Sequence, residues 1–212
     1  MRATCLFVVA CIALLPGCGK KAPDEIDFGA VEKSVYRNEY FGFSLRLPPE
    51  WSVQDREAQQ RIMEMGGKII AGDDKNLKAL MKASELQTVQ LLTAFRHPLG
   101  TPTSYNPSVM CVAERVGHMP GIKQGRDYLF HTRRVLESSP MKIAFPGEVS
   151  AEKLGGREFD LMHVEMQFPG ITVRQKYYAS IMKGYALGCI MSYATRDEES
   201  TLDGILATLS FK

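Results

Sequence analysis

Four histidines, His97, His118, His131 and His163, are the side chains best suited to metal binding or proton transfer. Their spacing supports neither: no pair stands as HxxxH, which would put two imidazoles on one helix face. His163 alternates with Phe159 and Leu161, so it reads as a sheet-face residue. Cys111 and Cys189 form no CxxC pair, no Gly-x-Ser-x-Gly elbow is present, and GGKIIAG at 66–72 lacks the spacing of a phosphate loop. The acidic groups Asp73-Asp74 and Asp197-Glu198-Glu199 precede helical patterns, where carboxylates satisfy free backbone N–H groups. Tyr177 and Tyr178 must point to opposite faces of a strand, so Tyr177, Tyr178, Tyr185 and Tyr193 cannot all form one patch. These residue types and spacings define no catalytic constellation, no metal site and no cofactor site.

The first seventeen residues carry one charge, Arg2, before the uncharged run ATCLFVVACIALL. That run is shorter than the roughly 20 residues a membrane-spanning helix needs, and it has the length of a signal-peptide core. Pro16-Gly17 breaks it, and Leu15-Pro16-Gly17-Cys18 follows the spacing of a lipidation site. The stretch resembles the lipobox of bacterial lipoproteins. The resemblance implies cleavage after Gly17 and acylation of Cys18 with diacylglycerol and a further chain such as palmitate. Gly19 is not the aspartate that marks inner-membrane retention in that family, which implies an outer-membrane anchor facing the periplasm in a Gram-negative cell. Two or three chains anchor a protein stably, because each buried methylene contributes about 0.8 kcal/mol.

The anchor needs a tether and a folded body. Residues 19–34 are polar and aperiodic, a tether of about 20–25 Å root-mean-square reach. The domain is expected over 35–212, preceded by the signal peptide 1–17 and the lipidated segment 18–34. With 45% apolar and 24% charged residues the body is globular. Removal of Arg2 leaves a formal charge of +1 from 26 basic and 24 acidic residues, too balanced for a nucleic-acid partner. Cys111 and Cys189 read as small buried side chains that could pair once in an oxidising compartment.

REFDLMHVEMQF, ITVRQKYYASIM and YALGCIMSYA are separated by Pro169-Gly170 and Lys183-Gly184, which predicts an antiparallel meander. Thr195 and Glu198 form a capping box before Leu202, Ile205, Leu206 and Leu209 at helical spacing. In the front half, Phe41, Phe43, Leu45 and Leu47 alternate on one face of a strand ended by Pro48-Pro49. Ala58, Ile62, Met65 and Ile69 form a helical stripe, and Asp73 or Asp74 caps a second helix through Leu77, Leu80 and Met81. TVQLLTAF and VMCVAERV are further strands, and residues 121–138 place Ile122, Leu129, Thr132 and Leu136 on a helix. Strands with inserted helices and a covered meander make an α+β fold with a mostly antiparallel sheet.

YRNEYFGFSLRLPPEWSV resembles the opening hairpin of the PsbP-like superfamily, and the closing strand, capped helix and LSF resemble its end. The resemblance implies an α/β/α sandwich around a central sheet, and it assigns no activity, since that superfamily hosts several roles. The Pro-rich loop between the two central strands is the best candidate contact surface. It offers His97, Pro98, Pro102, Tyr105 and Pro107, with Tyr105 expected as an exposed anchor. The expected function is a membrane-anchored, non-enzymatic binding or accessory module with a protein partner in the cell envelope. The alternative is a small-molecule or lipid carrier with a cavity between helix layer and sheet.

Overall fold

The computed structural model describes residues 25–212. The segment expected as a signal peptide, Cys18 and the first part of the expected tether lie outside the described residues. In chain order the elements are β1 (Ala30–Glu32), β2 (Val35–Asn38), β3 (Phe43–Arg46), β4 (Ser52–Val53), α1 (Arg56–Ala71), α2 (Lys75–Gln87), β5 (Thr88–Phe95), β6 (Ser108–Arg115), α3 (Gly125–Glu137), β7 (Ile143–Ala144), β8 (Ser150–Leu154), β9 (Arg157–Phe168), β10 (Ile171–Met182), β11 (Tyr185–Tyr193), α4 (Arg196–Leu206) and β12 (Ser210–Phe211).

The meander forms as expected, with β9, β10 and β11 antiparallel in register. Lys183 and Gly184 both take positive φ, 51° and 79°, the two-residue turn whose twist matches its strands. The central sheet runs β4-β5-β6-β11-β10-β9-β7, with β8 also paired to β9. Every pairing is antiparallel. A second, four-stranded sheet runs β1-β2-β3-β12.

Strand alternation divides the central sheet into two faces. Phe159, Leu161, Tyr178, Leu187, Cys189, Met191, Val109 and Cys111 pack with Leu202, Ile205 and Leu206 of α4 and with Phe43 and Leu45 of the small sheet. The opposite face offers Met162, Val164, Met166 and Ala179 to Leu129 and Leu136 of α3. The fold is thus α+β, with a central antiparallel sheet between helix-bearing layers, as the α/β/α reading required. Burial on both faces explains why β11 is apolar almost continuously rather than alternately.

Two expectations are corrected. The tether does not extend to residue 34, because Asp27 already belongs to the fold. Its carboxylate accepts from the Gly29 N–H at 2.8 Å, Asn38 Nδ2 at 2.6 Å and the Tyr40 N–H at 3.0 Å. Tyr36 donates its hydroxyl to the Phe28 carbonyl at 2.9 Å, and β1 pairs with β2 through a turn at Lys33-Ser34. The domain therefore begins at about residue 26 rather than 35. Asp27, one of the polar residues that suggested a linker, is consumed in hydrogen bonds.

The apolar stripe of α1 is also rotated from its expected phase. Met65 and Ile69 are 56% and 47% exposed, while Gln59 is buried. Gln59 can face inward because its amide donates to the Gln54 carbonyl at 2.9 Å. Capping follows the expected logic: Asp74 accepts from the Asn76 and Leu77 N–H groups, and the Thr195/Glu198 box starts α4.

Candidate functional site

The loop between β5 and β6 is braced at its base. The Arg96 N–H donates to the Pro107 carbonyl at 3.0 Å, and His97 exchanges hydrogen bonds with the Asn106 side chain at 3.0 and 2.8 Å. Within the arc, Thr101 Oγ1 donates to the Pro98 carbonyl at 2.7 Å and Thr103 Oγ1 to the Tyr105 carbonyl at 2.8 Å. Proline restricts φ and Asn106 clamps the ends, so this surface is presented with little conformational freedom left to lose on binding.

The five expected contact residues do not share one surface. Pro98 and Pro102 are exposed, His97 is half-buried, and Pro107 is buried at the root. Tyr105 is half-buried rather than an exposed anchor. Burial pushes its phenol up to about 12, against the opposing effect of a hydrogen bond with Ser192. That region is polar: Gln175 Nε2 donates to Ser192 Oγ at 2.7 Å, and the Tyr177 hydroxyl to Gln175 Oε1 at 2.8 Å. Tyr105 therefore roots the loop. The exposed apolar side chain of the arc is Leu99, at 52%, which its neighbours in the sequence gave no reason to single out.

A second cluster lies where α4 meets the sheet. Lys176 is 8% exposed. Its Nζ donates to Asp203 Oδ1 and Oδ2 at 2.8 and 3.0 Å and lies 2.8 Å from Glu199 Oε1. Burial alone would lower the Lys176 amine, but the Asp203 and Glu199 carboxylates raise it above its ordinary value. The Tyr193 hydroxyl completes the cluster by donating to Glu199 at 3.0 Å. An ammonium held charged between two carboxylates is neither nucleophile nor base. It clamps α4 to β10. The signal in the sequence was a lysine at an alternating inward position and two acids four residues apart on a capped helix.

The third feature is a groove of about 460 Å³ between α1 and α2, lined by Met63, Gly67, Met81 and Ser84 with Lys68 and Lys82 at its rim. Gln90 Nε2 lies 2.9 Å from the Met63 sulfur, and Gln90 Oε1 has no hydrogen-bond partner among the described residues. Among the described residues no group of three or more His, Cys, Asp or Glu side chains could hold a metal ion. Nor is any described helix long and apolar enough to cross a membrane.

No family model and no curated protein matches this chain. Solved structures do resemble it. The solution structure of cyanobacterial PsbP (CyanoP) from Synechocystis sp. PCC 6803 is similar with a TM-score of 0.49 and 10% identity, over 93% of this chain and 99% of that one. LpqN of Mycobacterium tuberculosis, described as involved in cell envelope biogenesis, has a TM-score of 0.40 and 13% identity over 80% of this chain and 83% of its own. A Pseudomonas aeruginosa protein of unknown function, PA94, described as a putative regulator, has a TM-score of 0.41 and 12% identity over 59% and 81%.

Proposed function

We propose that this chain is a lipid-anchored accessory protein of the bacterial cell envelope, non-enzymatic, which binds a protein partner through the Pro98–Ser104 arc. The observation that carries the binding role is the braced loop, rigid at its base and presenting Leu99 between prolines. Anchoring rests on Leu15-Pro16-Gly17-Cys18, with the outer membrane favoured by Gly19. A photo-crosslinking residue placed at Leu99 in intact cells should yield one adduct of defined mass. The same residue at Phe130, exposed on α3, should yield none. Cys18→Ser should move the protein from membranes to the soluble envelope fraction. Equal labelling from both positions would end the loop reading, and an unchanged distribution would end the anchor reading.

A second reading, a carrier of small molecules or lipids, is favoured by the methionine-lined groove between α1 and α2. Methionine adapts its shape to varied apolar guests. Native mass spectrometry of protein from its own cells should then retain a ligand, released by filling the groove with Gly67→Leu.

A further inference from the structure

Cys111 on β6 and Cys189 on β11 stand directly opposite each other in the sheet register. Their sulfurs are 3.4 Å apart, although 78 residues separate them in the chain. Both are free and buried, at 0% and 1% exposure.

The kind of pair they form follows from two independent observations. Opposed residues of an antiparallel ladder alternate between exchanging hydrogen bonds and not doing so. At the end of β6, the Val116 N–H donates to the Gly184 carbonyl at 3.0 Å, so that position is hydrogen-bonded. Alternation then makes the Tyr185/Arg115, Leu187/Ala113 and Cys189/Cys111 positions non-hydrogen-bonded. The other observation is the two-residue turn, which closes on Met182 opposite Tyr185. A two-residue loop closes on a hydrogen-bonded pair, so the odd residues of β11 turn their amides toward β10. Both lines agree. At a non-hydrogen-bonded position the Cα atoms are about 4.5 Å apart, inside the window of about 4.4–6.8 Å that a disulfide spans.

We propose that Cys111 and Cys189 form a cross-strand disulfide in the exported protein, joining β6 to β11 at the centre of the sheet. The proposal rests on the reading of the leader as an export signal, because thiols persist in the reducing cytosol. The oxidant is a disulfide-bearing exported thiol oxidant. One cysteine sulfur attacks it to form a mixed disulfide and release one oxidant thiol. The second cysteine then displaces the other, so two electrons pass to the oxidant and both cysteine protons end on its thiols. The reaction belongs to the chain before α4 and the small sheet close over this face. In the folded dithiol, the hydrogen bond to Cys189 and burial hold the Cys111 thiol well above its ordinary value, leaving little thiolate to react.

Full-length protein from the membrane fraction, denatured without reductant in the presence of an alkylating agent, should show a peptide linking Cys111 to Cys189 and no alkylation at either. Alkylation of both overturns the proposal. A second arm identifies which premise failed. The same protein, reduced, unfolded and refolded in a mixture of oxidised and reduced glutathione, should regain the link, with an unfolding midpoint that reductant lowers. A link formed there but absent from cells removes the export premise. A link absent from both removes the geometry.

Discussion

Asp27→Ala tests whether the fold begins ahead of the second strand. The Asp27 carboxylate accepts three hydrogen bonds, from Gly29, Asn38 and Tyr40, at 2.6–3.0 Å. Asn38 is 1% exposed, but its amide keeps the Asp27 carbonyl at 3.0 Å as a partner. The Gly29 and Tyr40 N–H groups lie nearer the surface, where water can replace the carboxylate. With charge-assisted bonds contributing about 1.5–3 kcal/mol each and water recovering most of two, the net loss is about 2–3 kcal/mol. For a domain of this size that is a fall of about 5–10 °C in Tm. Thermal and urea unfolding followed by Trp51 fluorescence and circular dichroism measure it, with Glu32→Ala, at an exposed strand position, as the silent control. A loss below about 0.5 kcal/mol, the usual range of a surface substitution, would mean that residues 26–34 are not part of the cooperative unit.

Lys176→Met should cost about 1–2 kcal/mol in urea unfolding, less than a fully buried pair because the freed carboxylates can rehydrate, and Lys176→Met with Asp203→Asn should recover part of it. The Lys176 ammonium holds Glu199 below its ordinary value of 4.5 despite the opposing effect of burial. A lowered carboxylate stabilises the fold above its unfolded pKa. That contribution should disappear as pH falls below the ordinary value and through the lowered one, and Lys176→Met should flatten the acid limb of stability against pH. Gly125→Ala should destabilise by about 3 kcal/mol or prevent folding, since its Cβ would meet the Ala179 carbonyl oxygen, a backbone atom that cannot step aside. Leu99→Asp should leave Tm within about 1 °C of the parent, as expected for an exposed position, while abolishing the adduct formed by a photo-crosslinking residue placed at the nearby exposed Pro102.

The meander was legible because three signals coincide there: alternation, glycine in the turns, and a capping box after the last strand. The front of the domain offered fewer. Lys33-Ser34 turns a hairpin with positive φ at both residues and neither glycine nor asparagine to announce it. The phase of α1 is hidden in the sequence because Gln59 is buried by satisfying its amide, which a hydropathy pattern scores as outward. Tyr105 shows the same limit in the candidate loop. A tyrosine among prolines reads as exposed, and only the Ser192 and Gln175 side chains of distant strands reveal the polar niche beneath it. The Lys176 clamp joins residues that are neighbours only after β10 and α4 meet.

The chain enters the fold at one end of the central sheet. Asp27 is tied to Tyr40, Tyr40 to Lys183, and the Lys183-Gly184 turn to Val116 at the close of β6. The braced loop lies at the opposite end, where β6 begins. Seven steps of strand, at about 3.4 Å each, put roughly 24 Å between them. The proposed anchor, Cys18, precedes Asp27 in the chain and so would join the molecule at this end. The molecule then has a lower and an upper pole. On the proposed reading the arc would stand off the lipid surface by about the length of the sheet, which would act as the stalk. A partner would have to rise to that height or approach from the aqueous side.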